Sequence, residues 1–416
     1  MNETTATTYQ AKKSSLSLRE TIAKKLVLKM MRGLHYGQVT LRDGDDTYAF
    51  GKDDSITVTI TVRSPSFYSK VLFGGSIGAG EAYIDHLWDA DNLTNIMRIM
   101  VLNMDMLDNM ERGFALLLQP FRIIGHVLRS NTKRGSKKNI ISHYDLSNEM
   151  YSSFLDDTMM YSSAIYPDDN SSLKEASLHK LDVICRKLQL SSKDHVVEIG
   201  TGWGGFAIFA AKNYGCRVTT TTISDAQYQE AQARIRREGL EDKIILLKKD
   251  YRELAGKFDK LVSIEMIEAV GHKFLPHFFK KCRELLKRNG MMLIQAITIN
   301  DQKYDQYVRS VDFIQRHIFP GGCLPSNRRM LELIADKTDM VVRNIEDFGL
   351  DYARTLKDWH HRFNKSFPTI KKFGFDENFR RLWEFYLCYC EGGFRERSIS
   401  VVHLVATAPD NRDYIL

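Results

Sequence analysis

The stretch "VVEIGTGWGG", Val196–Gly205, decides the fold. An apolar run ends in a turn with glycines at 200, 202, 204 and 205, and a helical pattern, "FAIFAAKNY", follows. A strand that enters a helix through glycines brings bare backbone to the carboxyl end of a sheet, where open α/β folds bind nucleotide-like ligands. A dinucleotide site would need GxGxxG and an acid at the tip of the next strand. The spacing here is GxGxGG, and the next strand ends "TTTTIS" without a carboxylate. Glu198 stands instead two residues before the first glycine.

Outward from this turn, strand and helix patterns alternate. "HVVEIG", "RVTTTTI" (Arg217–Ile223), "KIILLKKDY" (Lys243–Tyr251), "FDKLVSIEMI" (Phe258–Ile267) and "MMLIQAITI" (Met291–Ile299) read as strands. "GGFAIFAAKNYG", "DAQYQEAQARIRREG" and "LPHFFKKCRELLKRNG" read as helices with glycine stops. The order predicts an α/β fold with a doubly wound, mostly parallel, Rossmann-like sheet. S-adenosylmethionine has no pyrophosphate and carries two cationic groups, so it suits Glu198 and the glycine turn better than a dinucleotide does. Asp250, at the end of the third strand, faces the adenine or is a solvated loop acid.

The N-terminal part reads as a smaller α+β domain, residues 1–128. Residues 1–11 are polar, Ser14–Leu34 is helical in character, and "ITVTITV" (Ile56–Val62) is a half-buried strand. The glycines of "GGSIGAGEAYIDHLW" imply tight turns or close backbone approach. Asn92–Leu128 reads as one or two Met-rich helices, whose methionines pack a core or meet lipid. "RSNTKRGSKKN", residues 129–139, has five basic residues and no acid and reads as a linker. Residues 140–416 form the catalytic domain, interrupted at about 301–385.

The chain has 416 residues, a formal charge of +7 and a sequence pI near 8.9. That balance suits an anionic partner such as a phospholipid surface, or simply a mildly basic enzyme. The most apolar stretch, Gly113–Leu128, is broken by Gln119, Pro120, Arg122 and His126, so no spanning helix is expected. The six cysteines form no CxxC pair, and reduced thiols in the cytoplasm are expected. His360–His361 lacks an i, i+4 partner, so no metal site is expected.

From about residue 55 to its end the chain resembles the cyclopropane-fatty-acyl-phospholipid synthases, relatives of the mycolic acid cyclopropane synthases. The stretches that carry the resemblance are "HYDLSNEMYSSFLDDTMMYSSAIYPD", "VVEIGTGWGG", "TISDAQ", "KKDYREL", "SIEMIEAVGH", "DFIQRHIFPGGCLPS", "FGLDYARTLKDWHHRF" and "YCEGGFRER". The resemblance implies that S-adenosylmethionine is held by Tyr161 and Ser162, by Glu198, Gly200, Thr201, Gly202, Trp203 and Gly204, by Thr222, Ser224 and Gln227, and by Tyr251 and Arg252 with Asp250. It implies a bicarbonate ion near the transferred methyl, bound by Ser163, Glu268, Gln295, Ile297 and Tyr352. Ser163 stands where a cysteine is common in the family, Gln295 where a histidine is common, and Thr201 where a cysteine is usual. Cys390 matches a cysteine long assigned to the active site; a buried structural thiol is the other reading.

The implied reaction adds a methyl to a cis alkene and removes a proton to close a ring. It requires exclusion of water, cover for a cation and a base. Tyr161, Tyr166, Trp203, Phe313, Tyr352 and Phe394 are candidates for aromatic cover or are simple core. Bicarbonate gripped by Glu268 is the implied base, and Glu268 itself the alternative. Glu265, three residues earlier, reads as a strand-end residue bordering the cofactor pocket. The implied partner is an unsaturated phospholipid in the bilayer, reached from its surface, and a homodimer is the family habit. The 301–385 region would form the acyl pocket.

Nucleic-acid methylation is a poor fit, because "EMIEAVG" has no proline where an Asn/Asp-Pro-Pro-aromatic motif would fall, and the chain contains no Pro-Cys. A sister reaction giving methyl- or methylene-branched chains stays open. A non-catalytic lipid-binding role is disfavoured by the intact glycine loop and Glu268.

Overall fold

The computed structural model describes residues 17–105, 147–412 and 414, and the chain divides between Asp91 and Asn92 into two compact units. The apolar stretch 113–128, the basic linker 129–139 and the polar residues 1–11 lie outside the described residues.

The first unit holds a four-stranded sheet in the order β2-β1-β3-β4 (β1 Gln38–Asp43, β2 Asp46–Phe50, β3 Thr57–Val62, β4 Trp88–Ala90). Alternation in β3 buries Val58, Ile60 and Val62 and turns the threonines outward, as the sequence pattern predicts. The glycine-rich segment departs from the expectation of turns. It lies in the helix Ser66–Ile84, which kinks at Gly75 (φ 55°). A Cβ on Gly78 would lie 2.1 Å from the Lys70 carbonyl oxygen, so close approach within a kinked helix explains the small residue there.

The second unit is built on a seven-stranded sheet, β10-β11-β9-β8-β5-β6-β7 (β5 His195–Ile199, β6 Arg217–Thr222, β7 Ile244–Lys248, β8 Phe258–Ile264, β9 Leu286–Ile299, β10 Val341–Asp347, β11 Ile399–Thr407). β9, β8, β5, β6 and β7 are parallel, and β11 runs antiparallel to both β9 and β10. Apolar clusters cover both faces, one around Phe278, Phe279 and Leu333, the other around Phe206, Ile184 and Cys185. Burial on both faces is why these strands read as near-continuous apolar runs.

The chain winds from β5 outward to β7, then returns to β8 on the other side of β5. The crevice at the carboxyl ends of β5 and β8 is therefore the topological switch point, where open α/β sheets place their ligands.

After β9 come two short helices. "QYVRSVDFIQRHIFPGG" is not one helix: Asp301–Tyr307 ends, and Asp312, in an extended conformation, starts Phe313–His317 with a capping box to Gln315. Two long helices, Gly349–Ile370 and Glu377–Arg395, then lead to β11. The second packs closely on the helix Leu93–Leu102: a Cβ on Gly392 would lie 2.5 Å from Met97 Cβ.

Candidate active site

The loop after β5 is made of left-handed backbone, with φ 99° at Gly200, 51° at Gly202 and 88° at Gly204. Gly205 opens the following helix so close to the 158–160 segment that a Cβ there would lie 2.7 Å from the Thr158 carbonyl oxygen. A cleft runs along this loop. Its walls include Tyr161, Ser162, Glu198, Gly200, Thr201, Gly202, Trp203, Thr222, Gln227, Asp250, Tyr251 and Arg252.

Gly204 and Ser224, also named from sequence, do not line it. Each is a helix N-cap, and the buried Ser224 hydroxyl accepts the Gln227 N–H. Thr222 Oγ1 donates to Gln227 Oε1 at 2.9 Å, so this corner of the wall is set by local hydrogen bonds. The Asp250 carboxylate faces Arg252, accepting from Nε at 2.8 Å and Nη2 at 2.6 Å.

Beneath the loop, Glu198 is buried, accepts from Thr220 Oγ1 at 2.5 Å and is pushed by burial to a pKa of about 8. Trp203 donates its indole N–H to Asn148 and packs on Tyr151 with ring centroids 4.9 Å apart. Lys180, which the sequence reading missed, is fully buried and donates to Ser162 Oγ at 2.7 Å. Burial lowers its pKa to about 8 against the pull of Glu265, Asp156 and Glu198.

Across the crevice, at the end of β8, the residues named from sequence converge on Glu265, which itself lines the cofactor cleft. Oε1 of Glu265 accepts the Ser163 backbone N–H at 2.9 Å and the Gln295 amide at 2.7 Å; Oε2 accepts the Tyr352 hydroxyl at 2.9 Å. The Ser163 hydroxyl turns away to the Ala164 carbonyl.

The amide of Gln295 is oriented from behind. The Lys187 ammonium, which has only protons to give, donates to His403 Nδ1 at 2.9 Å, so Nε2–H donates to Gln295 Oε1 at 3.0 Å. Burial and the nearby lysines hold the His403 pKa well below its ordinary value, in keeping with this neutral tautomer. The polarity of the relay ends on Glu265 as an acceptor.

Glu268 sits beside it. Its Oε1 accepts the Ile297 N–H at 2.5 Å, while Oε2 is buried with no hydrogen-bond partner. Burial, then the charge of Glu265, pushes Glu268 to a pKa of about 8. Glu265 is raised by burial too, but four groups oppose the shift: the Ser163 N–H, Lys180, Gln295 and Tyr352. Two carboxylates in one dry site do not readily ionise together. Glu265, with three donors on its oxygens, is the better stabilised of the two as an anion, and Glu268, with one oxygen unpartnered and its pKa pushed up to about 8, is the one that burial favours protonated. Glu265 borders the cofactor cleft, as the sequence suggests, and it also collects the donors that the resemblance gathers around Glu268.

Of the aromatic candidates, four form one cluster. Tyr161 packs on Trp359 at 5.2 Å and on Tyr151 at 5.1 Å, Tyr151 bridges to Trp203, and Tyr352 packs on Phe394 at 4.5 Å and on Trp359 at 6.1 Å. Tyr166 belongs elsewhere, under the Arg354 guanidinium with its hydroxyl on Asp358. Phe313 packs against Phe385 in a separate group. Burial pushes the Cys390 thiol up, which favours its protonated form over a thiolate. His360 pairs with Glu384 and approaches Cys388.

A switch-point cleft floored by a glycine loop, in a seven-stranded sheet with one reversed strand, defines an S-adenosylmethionine-dependent methyltransferase of class I fold. The family model described as mycolic acid cyclopropane synthetase matches residues 131–404. The chain is 37% identical over 353 residues to the cyclopropane-fatty-acyl-phospholipid synthase of Escherichia coli K12, spanning 84% of this chain and 88% of that one. It is 33% identical over 364 residues to the tuberculostearic acid methyltransferase UfaA1 of Mycobacterium tuberculosis, spanning 86% and 84%. Among solved structures, mycolic acid cyclopropane synthase CmaA1 complexed with SAH and CTAB aligns with a TM-score of 0.61 and 27% identity, over 65% of this chain and 98% of that one. The chain belongs to the mycolic acid cyclopropane synthetase family.

Proposed function

We propose that the protein transfers a methylene group from S-adenosylmethionine to the cis double bond of an unsaturated phospholipid acyl chain and closes a cyclopropane ring. The observation that carries this reading is what meets the cofactor cleft at its inner end: aromatic faces and buried carboxylates, with no activated nucleophile. An alkene needs no activation by the protein. It needs a dry wall to protect a cation, and ring faces that attract one by about 0.5–2 kcal/mol each. Tyr161, Trp203, Tyr352 and Phe394 provide that wall, and the helical region 301–385 covers the acyl chain. The residues up to 128 and the basic run 129–139 serve a lipid surface, so the enzyme works on the cytoplasmic face of a membrane without crossing it. None of the described helices is long and apolar enough to span one.

Bicarbonate, the base the resemblance supplies, does not fit these residues. The Ser163 N–H, the Gln295 amide and the Tyr352 hydroxyl already converge on Glu265, and the Ile297 N–H is taken by Glu268. A further anion would have to sit beside the Glu265 carboxylate with the protonated Glu268 as the one donor not already engaged, and burying so thinly paired a charge is costly.

Relatives are named both as synthases and as methyltransferases, so a branched product is the second reading. Purified protein, S-adenosylmethionine and vesicles of cis-monounsaturated phospholipid decide between them. Mass spectrometry of the released fatty acids is expected to show a gain of one CH2, and proton NMR the upfield ring signals. Branched-methyl or vinylidene signals would establish the sister reaction, and no mass gain would overturn both.

A further inference from the structure

We infer that Glu265 is the base of this enzyme: its carboxylate takes the ring-closing proton directly, in the place where the family borrows an ion. The inference rests on the methylene-transfer reading above and names the proton acceptor within it.

Three observations carry it. Glu265 is the one carboxylate that both lines the cofactor cleft and receives the convergent donors, one from the 163 segment, one from β9 and one from the helix Gly349–Ile370. Such a set of donors fixes an anion in position, and here the anion is part of the chain. Second, the donors are unequally shared. Oε1 accepts two and Oε2 accepts only the Tyr352 hydroxyl, which leaves Oε2 the lone pair available to an incoming proton. Third, Glu265 has φ 47°, a left-handed conformation that is uncommon outside glycine, costs about 1–3 kcal/mol and collects at functional sites. The strain is held by its N–H bond to the Gln295 carbonyl at 2.8 Å, and it aims the side chain between β8 and β9.

The chemistry balances on these atoms. The alkene π pair bonds to the methyl carbon as the sulfonium C–S bond breaks, with both electrons staying on sulfur. A cation is left on the second alkene carbon. A C–H bond of the new methyl then breaks; its proton goes to the Glu265 carboxylate and its electron pair closes the ring. Glu265 ends as a carboxylic acid and returns the proton to solvent before the next turnover. Tyr352, Gln295 and His403 are positioning residues, which act by holding that carboxylate.

The test uses full-length protein and cis-monounsaturated phospholipid vesicles in buffer purged of CO2 and bicarbonate. Wild-type turnover is expected to stay within twofold when bicarbonate is returned. Glu265→Gln, which keeps the shape and loses the base, is expected to lose more than about a hundredfold in turnover with S-adenosylmethionine affinity within about threefold. Glu265→Gly suits the left-handed backbone and leaves the three donors facing a vacated anion site, so its turnover is expected to be low and to be restored by added bicarbonate. A wild-type enzyme that falls tenfold on bicarbonate removal overturns the inference, as does a Glu265→Gln or Glu265→Gly enzyme that keeps a third of its turnover in purged buffer. Failure of the methylene-transfer reading looks different: the wild-type protein then yields no heavier lipid with or without bicarbonate.

Discussion

The two walls of the crevice are built in opposite ways. The wall after β5, β6 and β7 is made of backbone and near neighbours. Its glycines have the turn's own φ values, Ser224 caps the helix that follows it, and Asp250 holds Arg252 two residues on. The wall after β8 and β9 is made of side chains from distant parts of the chain. Glu265 meets partners 102, 30 and 87 residues away, and the relay behind Gln295 reaches His403 and Lys187. The first wall needs room and conformational freedom; the second needs correct donors and acceptors. Binding and chemistry should therefore fail separately.

The largest expected effect breaks the first wall. In Gly205→Val the new Cβ would meet Met160 Sδ at 2.6 Å and the Thr158 carbonyl oxygen at 2.7 Å, and backbone cannot yield to it. S-adenosylmethionine affinity should fall by about a hundredfold or more, with a loss of stability of about 1–3 kcal/mol as in other overpacked sites. Isothermal titration calorimetry and thermal melting check both, and unchanged affinity would mean that the loop is looser than described.

The second wall breaks more quietly. His403→Leu removes the donor that orients Gln295 and leaves the Gln295 carbonyl oxygen buried without it, a change worth about 1–3 kcal/mol. Turnover should drop about tenfold or more while S-adenosylmethionine affinity stays within about twofold. A parallel loss of both would show that the walls are not independent.

The smallest effect sharpens the contrast between the two glutamates. Glu268 titrates near pH 8 in the folded protein, above the ordinary 4.5. The folded state therefore holds this proton more tightly than the unfolded chain does. The stability so gained is complete below about pH 4.5 and is lost as pH rises through 8. Glu268→Gln carries no titrating proton there, so its melting temperature should gain on wild type steadily from about pH 5 to about pH 8.5. A constant difference across that range would mean that Glu268 is ionised throughout.

The same contrast explains what could be read in advance. The parallel strands and the glycine loop were legible because apolar periodicity and glycine spacing are local signals, and each of the five parallel strands from β5 to β9 lies within a few residues of its predicted place, whereas β10 and β11 were not read from sequence. All but two of the residues named for the cofactor line the cleft. Ser163, Gln295 and Tyr352 were named by resemblance and do meet, yet their meeting point was missed. Nothing near "SIEMIEAVGH" says which glutamate folds toward β9, since that is set by one backbone torsion and by partners far along the chain. Lys180 and His403 were missed for a related reason. His403 stands alone among apolar neighbours in "VVHLVAT", the signal that marks a buried polar group with a specific partner, whereas Lys180, with His179 and Asp182 beside it in "LHKLDVI", looks like an ordinary surface lysine.

The left-handed backbone at 265 also bears on descent. A residue held at φ 47° is one that glycine can replace without rebuilding the turn. If the Glu265 carboxylate is the base, changing this one codon to glycine removes it and leaves the surrounding donors in place. The letter at this position, read together with those at 163 and 295, is then a marker of whether a sequence supplies that carboxylate itself. It can be applied to a sequence before any product has been identified.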